Sequence, residues 1–566
     1  MAQPEPEHGR HRGRWVDACV LLTLALAVRF RDLSFAPDVD EFHHILAAQS
    51  LLSEGTLELW DGGTDYTRGL LFTLLVAGSF MIFGVSLEAS RIPAILGGGL
   101  LVAVLYLWVR RHVDRLAAWI AALLLCLYPF GIYLTQVSRF YSLHALFFLV
   151  GVILLYRLSV APGEFGRRSV ALGVGAVLAL TLSFHFQVTT VVGLGGLALW
   201  VAVAGGPRVR EWASKEGRLL PLLLLVGGAT VLGVAFLWWT GFAGRALFLF
   251  QYADPWAFEH RGNLRYYHRH LQGDFGPLWA LFPVLVLVAL YRNHRLGLLC
   301  AFVFGLTFFV HSLAAWKHPR YIFYVMPFFF VLTGIAISTG IPVLRRWFYE
   351  LVSRIPWRRV GDREAPSGLR RAAWLGAGTV MTIFLLLGMG ASSDFIRMMG
   401  SGPDPVDSPR PYRGKSEWAQ ATPTLSELSA QKEVLVSYSH LKPPFYLERL
   451  DVILQRNHLY QGAEWQPEFT LQPQLARPVI SEAESMARIV VCHSSGIVIG
   501  EHFGWRDPAG VPSQTVEWIE THLDPVDLPG EWRLLVYTWD EATDLGADAP
   551  ERPECETLPV QAGVGT

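Results

Sequence analysis

The sequence predicts a mainly α-helical polytopic membrane protein of about eleven transmembrane helices plus interfacial helices, with a C-terminal soluble α/β domain. Three observations predict it. The 566 residues are 52% hydrophobic and 17% charged, with a mean hydropathy of +0.34, the balance of a chain whose solvent is largely lipid. Eleven apolar runs approach the roughly 20 residues that cross a bilayer. From Asp394 to Thr566 the composition turns polar and Pro-rich, with no further run long enough to cross.

The runs begin near Trp15, Ile92, Leu116, Ser142, Ser169, Val188, Leu219, Pro277, Leu296, Tyr321 and Ala372. A shorter stretch, "GLLFTLLVAGSFMIFG" from Gly69 to Gly84, sets the orientation of everything after it. If it lies in the interface, Arg10, Arg12, Arg14, "RRHVDR", "GEFGRR", "RVREWASKEGR", "RNHR" and Arg345 to Arg371 fall on one side. That side then holds about 23 Lys/Arg against about nine opposite, the bias of a cytoplasmic face. If it spans, the bias largely reverses, so Gly69 to Gly84 is read as interfacial or re-entrant. The N-terminus is then cytoplasmic and the C-terminal domain extracytoplasmic. The first run resembles a signal sequence with "ALA" at Ala25 as its cleavage site, but is better read as a retained anchor because the charged turn after it looks functional. The division expected is a catalytic membrane domain over 1–393, with its first outer loop at about 36–91, and an outer domain over 394–566.

Within the outer domain "EWAQATPTLSELS" and "TVEWIETHL" read as helices, and "KEVLVSYS", "ARIVVCHS" and "EWRLLVYTW" as strands. Of five cysteines, Cys19, Cys126 and Cys300 lie in apolar runs; Cys492 and Cys555 do not, and an oxidising compartment could join them. A formal charge of −1 without a basic stripe argues against a nucleic-acid partner. "RGKS" at Arg413 lacks the upstream glycine of a nucleotide-binding loop, and no N-x-[ST] sequon occurs.

On the expected outer face the stretch "APDVDEFHHILAAQSLL" puts Asp38, Asp40, Glu41, His43 and His44 into seven positions. Asp38 and Glu41 fit a capping box for a helix stopped by Gly55, which leaves Asp40 without an explanation. His43 and His44 are adjacent and point to different helix faces, so they are poorly placed to share one metal. Arg68, Arg139 in "SRFYS", and Lys317, His318 and Arg320 in "KHPRY" can each be anchors at helix ends. Together they are cations in loops that should be poor in them, which points to an anionic ligand at the outer leaflet. The loop from Gly241 to Gly276 adds His260, His268 and His270 among aromatics, as amphipathic cover or as a structural lid.

These motifs, with "FGVSLEASRIP", "SRFYSLHALFF" and "KHPRYIFYVMPFF" following in order from Trp15 to Ser338, resemble those of the GT-C membrane glycosyltransferases, and most of all the protein O-mannosyltransferase and lipid A aminoarabinose transferase group. Two features depart from the pattern. "TRGLL" stands where the aminoarabinose transferases tend to have Lys-Pro-Pro-Leu, so Arg68 substitutes for the lysine, and the Trp-Trp-Asp of oligosaccharyltransferases is missing. The resemblance implies an inverting transfer of a sugar from a polyprenyl-phosphate donor to a lipid, glycan or protein acceptor, at the outer face of the plasma (inner) membrane. It gives Asp40, with Glu41, the catalytic base role, and Arg68, Arg139, Lys317, His318 and Arg320 the donor phosphate. Asp38, His43, Tyr141 and His268 are further candidates, and the carboxylates could hold a divalent metal ion. A phosphate leaving group needs cations rather than the second acid of a glycosidase, which suits one carboxylate cluster among many cations. The rival reading, a transporter or lipid flippase, expects mid-span charges and an internal repeat, and neither is seen.

Overall fold

A computed structural model describes residues 7–160, 167–205, 262–353, 389–400, 416–461, 464–530, 532–541, 543 and 555. The expected runs from Leu219 and Ala372, residues 241–261 with His260, and most of the Arg-rich stretch after Arg345 lie outside the described residues.

The described residues of the membrane half form mainly helices: α1 (Glu7–Arg29), α2 (Phe42–Ser53), α3 (Leu70–Phe83), α4 (Leu87–His112), α5 (Arg115–Cys126), α6 (Pro129–Gln136), α7 (Tyr141–Val160), α8 (Arg167–Phe186) and α9 (Thr190–Trp200), then α10 (Tyr266–Ala280), α11 (Phe282–Arg292), α12 (His294–Leu313) and α13 (Met326–Ser353). Five described helices are long and apolar enough to cross a membrane, or seven if each of two bent pairs is one span. The expected count of eleven is therefore not reached among the described residues. The run at Val188 yields an 11-residue α9, and α1 carries Arg14, Asp17 and Arg29 along its length. At 14 residues, α3 is too short to span, and its end leaves Met81, Ile82 and Phe83 exposed.

Two breaks in this half shape the site. α5 and α6 meet at 61° because Pro129 supplies no N–H to continue the ladder, and Arg29, almost wholly buried, donates to the Cys126 carbonyl at the break and to Thr135 Oγ1 at 2.7 Å. Gly98 of α4 permits this approach: a Cβ there would stand 2.7 Å from Thr135 Cβ and 2.9 Å from Arg29 Nε. From the end of α6, Gln136 Nε2 donates to the carbonyls of Arg29 and Arg31, so the bend fixes where the chain leaves α1.

After α14 (Gly390–Gly400) comes a sheet region with α15 (Trp418–Ala430), α16 (Lys442–Tyr446), α17 (Ala483–Cys492) and α18 (Ser513–His522). Its strands are β1 (Val434–Ser437), β2 (Val452–Leu454), the small hairpin β3 (Tyr460–Gln461) and β4 (Glu464–Trp465), then β5 (Leu471–Gln472), β6 (Arg477–Ile480), β7 (Gly496–Glu501), β8 (Asp524–Pro525) and β9 (Leu534–Trp539). The large sheet runs β5-β6-β2-β1-β7-β9-β8; β6, β2, β1 and β7 are parallel, β5 pairs antiparallel with β6 at one edge, and β9 pairs antiparallel with both β7 and the other edge, β8. Both faces are buried, which is why β1 reads Val-Leu-Val without polar alternation. Leu435, Ile453 and Ile497 join the core shared with the membrane half, while Val434, Val436 and Val498 pack with Met486, Ile489 and Val516 of α17 and α18. "ARIVVCHS", expected as a strand, belongs to α17: its β-branched run hides a helical stripe in which Met486, Ile489 and Val490 face inward. Cys492 and Cys555 form a disulfide with Cα atoms 5.4 Å apart. The sheet region docks on the start of α2, Phe42 packing against Phe445 and Tyr446 with ring centroids 5.3 and 5.8 Å away.

Candidate active site

The segment between α1 and α4 is built around a buried ion pair. Asp38 caps the turn that leads into α2: its Oδ1 accepts from the Asp40 amide at 3.2 Å while Glu41 Oε1 accepts from the Asp38 amide at 3.0 Å, the reciprocal capping box. Gly55, at φ +77°, ends α2, and its amide bonds back to the Ser50 carbonyl. Glu41 does more than cap. Its carboxylate, fully buried, takes two bonds from Arg91 at 2.7 and 2.8 Å and one from the Ser138 amide at 2.7 Å. Arg91 in turn donates to the carbonyls of Leu33 and Phe35 and lies over the Phe35 ring. The clamp ties the loop to α4 and to the start of α7, and it leaves Asp40 pointing the other way.

Asp40 opens into a cavity of about 1890 Å³ lined by the segment between α1 and α4, the ends of α6 to α9, the segment after α12 and the sheet region. Arg320 Nη1 lies 2.6 Å from Asp40 Oδ2, and Arg139 Nη2 lies 4.0 Å from the same oxygen while its Nη1 donates to the Asp40 carbonyl at 2.9 Å. Burial would push the Asp40 carboxyl up, but the Arg139 and Arg320 guanidiniums hold it well below the usual carboxylate range. His43 Nδ1–H also donates to the Asp40 carbonyl, at 3.2 Å. Burial, and then Arg139, lowers the His43 imidazole to about 4; burial, and then Arg320, lowers His318 to about 3. Both histidines are thus neutral near pH 7. The Nε–H groups of Arg139 and Arg320 are buried without a partner among the described residues, an arrangement suited to an anion with several acceptor oxygens.

Arg68 stands on another wall, its Nη2 donating to Gln187 Oε1 at 3.0 Å and its guanidinium over the Phe140 ring. The next residue must turn at once into α3, and Gly69 does so at φ +64°, where a Cβ would come within 2.8 Å of Phe140. Asp38, His43, Arg68, Arg139, Tyr141, His318 and Arg320 all line the one cavity. Three expected site residues do not. Glu41 is spent on Arg91. Lys317 is buried and its ammonium donates to the Ala314 carbonyl. His268 accepts from Trp279 Nε1 at 2.8 Å, outside the cavity.

The carboxylates also do not fit a divalent metal ion. Asp38 Oδ2 accepts from Tyr133 OH and Asp40 Oδ2 faces Arg320, and among the described residues no three His, Cys, Asp or Glu side chains converge as ligands. The sequence reading missed the sheet region's share of the lining: Ser439 and His440 after β1, Gln455, Asn457 and His458 after β2, and Glu501 and Phe503 at and after the end of β7.

Bent and straight membrane helices around a large cavity, with a sheet region closing its top, define the class: the chain is an integral membrane protein of the GT-C fold. Among solved structures it is similar to ArnT from Cupriavidus metallidurans in the apo state, with a TM-score of 0.56 and 17% identity over 93% of this chain and 97% of that one. The same transferase bound to undecaprenyl phosphate gives 0.57 and 15% over 93% and 98%. The archaeal oligosaccharyltransferase AglB from Archaeoglobus fulgidus, in complex with an inhibitory peptide and a dolichol-phosphate, gives 0.55 and 13% over 90% and 72%. No protein-family profile matches the chain, and no curated protein matches it.

Proposed function

We propose that the protein is a membrane glycosyltransferase that moves a sugar from a polyprenyl-phosphate donor to an acceptor at the outer face of the membrane, with inversion. The carrying observation is one carboxylate, Asp40, held between buried Arg139 and partly buried Arg320 in a large cavity of a GT-C fold. The fold's solved examples support the donor class, since one is bound to undecaprenyl phosphate and another is in complex with a dolichol-phosphate.

In the step proposed, the acceptor O–H bond breaks, its proton passes to Asp40, and its oxygen forms the new bond to the anomeric carbon. The bond from that carbon to phosphate oxygen breaks with its electron pair staying on the phosphate, which leaves as polyprenyl phosphate. Arg68, Arg139 and Arg320 stabilise the charge gathering there, and neutral His318 can add an N–H. Asp40 in the free protein is a weak base because of its arginines. A bound phosphate shares those cations, and that raises the carboxylate toward useful basicity. The Cys492–Cys555 disulfide supports an oxidising, extracytoplasmic setting for the sheet region, with the N-terminus cytoplasmic and the plasma (inner) membrane between them.

The test is incubation of the purified protein in lipid with a panel of labelled polyprenyl-phosphate sugars. Release of polyprenyl phosphate with transfer or hydrolysis of one label is expected; no consumption of any donor would end the proposal. Arg320→Ala should weaken donor use roughly ten- to hundredfold, as loss of a charge-assisted contact does, and Arg320→Lys should recover part of it. Donor kinetics identical to the parent's would make Arg320 an anchor only.

A pH profile provides a further check. A lowered Asp40 is ionised above its folded value and loses its charge only as pH falls through it, while His43 and His318 are already neutral. Donor kcat/KM should therefore be flat from about pH 5 to 8, with its acid limb below about pH 4. A limb near pH 6.5 would hand the base role to a histidine.

A further inference from the structure

The sheet region meets the cavity with one particular edge. β1, β2 and β7 are parallel, and the lining residues follow their carboxyl ends: Ser439 and His440 after β1, Asn457 and His458 after β2, Phe503 after β7. Chain order reverses at β1, with β2 and β6 to one side and β7 to the other. The crevice outside the carboxyl ends at such a reversal is where open α/β sheets bind ligands. Here it opens toward Asp40: the His440 ring lies 6.3 Å from the His43 ring, and His43 is bonded to the Asp40 carbonyl.

The chemistry of this wall differs from that of the membrane half. Its two charged lining residues, Lys442 and Glu501, are buried and bonded to each other at 2.9 Å, so the wall presents no net charge. The remainder is hydroxyl, amide, imidazole and aromatic. His440 and His458 share a hydrogen bond at 3.1 Å. Burial holds both imidazoles low, His458 at about 4, so neither brings a charge near pH 7. Three buried atoms have no partner among the described residues: Ser439 Oγ, Gln455 Oε1 and Asn457 Oδ1. Ser439 is only 4% exposed. Two of the three are pure acceptors, and a buried acceptor left unmet is costly, so the wall is built for a ligand that supplies several neutral O–H donors.

Resting on the glycosyltransferase reading, we infer that the crevice at the carboxyl ends of β1, β2 and β7 is the acceptor subsite, and that it takes an uncharged carbohydrate whose hydroxyl is presented to Asp40. An anionic headgroup would find no free cation on this wall, and Arg68, Arg139 and Arg320 are engaged with donor phosphate across the cavity.

The full-length protein in lipid nanodiscs is titrated with mannohexaose, arabinohexaose and maltohexaose at up to millimolar concentration, read by saturation-transfer NMR, and separately with undecaprenyl phosphate. At least one hexasaccharide is expected to bind. The Ser439→Ala/Asn457→Ala variant should bind it roughly ten- to hundredfold more weakly, as loss of two hydrogen bonds implies, and retain undecaprenyl phosphate, which shows that it has folded. Should that variant not fold, Asn457→Asp, of equal size, should weaken the same sugar by placing a charge in the neutral wall. Undecaprenyl phosphate bound with no hexasaccharide bound overturns the acceptor class and leaves the proposed function standing. So does a peptide or an anionic lipid vesicle whose binding, in place of sugar, is lost in the variant. Equal sugar binding by parent and variants moves the subsite elsewhere. If neither undecaprenyl phosphate nor any donor is handled, the glycosyltransferase reading itself fails.

Discussion

Asp40→Asn is expected to lower the rate of sugar transfer by two to four orders of magnitude, the usual loss when a positioned base is removed, without weakening the donor. The amide keeps the size of the side chain, and the loop around it is held by Glu41 and Arg91 rather than by Asp40. Arg139 and Arg320 lose a competing carboxylate, so donor binding should be equal or tighter. Single-turnover kinetics together with a binding titration separate the two effects. Parental turnover in this variant would remove Asp40 from the chemistry. A fall in kcat matched by a fall in donor binding would make it an organiser of the arginines instead. Asp38→Asn is the control: asparagine caps about as well as aspartate, and giving up one acceptor oxygen, for the Asp40 amide or for Tyr133, is worth up to about tenfold.

The second large effect is on stability. Glu41→Ala should destabilise the protein by about 3–5 kcal/mol, because it leaves Arg91 charged, buried and without its carboxylate. That is a large part of the roughly 5–15 kcal/mol that holds a folded protein together. Thermal unfolding in detergent should show it, and yields should fall. Glu41→Met combined with Arg91→Leu should be less destabilised than Glu41→Ala, since no uncompensated charge remains. A Glu41→Ala protein that melts with the parent but has lost turnover would return Glu41 to the chemistry, the role its place beside Asp40 first suggests.

That pair shows what a sequence of this kind can convey. The capping box is local, a matter of Asp38 and Glu41 three residues apart, and it is legible. So is the concentration of cations in loops that the orientation rule says should be poor in them, from which Arg68, Arg139, His318 and Arg320 all reach one cavity. Glu41's partner is 50 residues away in a segment that reads as an ordinary helix start. Lys317 and Arg320 look equivalent on paper; a single turn of backbone sends one to a carbonyl and the other to Asp40. The neutral wall was out of reach for a different reason. Ser439, His440, Asn457 and His458 are unremarkable loop residues until a parallel sheet gathers two strand ends and Phe42 docks the sheet region over the cavity. α17 departs from the expected strand because Ile, Val and Val in succession carry a strand's composition on a helix's period.

The bond between Asp40 and Arg320 joins residues 280 positions apart. At roughly 5–20 residues per second, a ribosome needs about 14–56 s to travel that distance. The order of events during synthesis follows from the contacts. The capping box can close as soon as it emerges, the Arg91 clamp comes next, Arg139 arrives 99 residues after Asp40, and Arg320 and the sheet region come last. Until position 320 emerges the chain thus carries a correctly shaped first loop with Arg68 and Arg139 but without Arg320, and without the wall that closes over the cavity. On the proposed function, a chain truncated before position 320 is expected to keep the Glu41–Arg91 clamp and to consume no donor, because half of the guanidinium pair that flanks Asp40 has yet to be made.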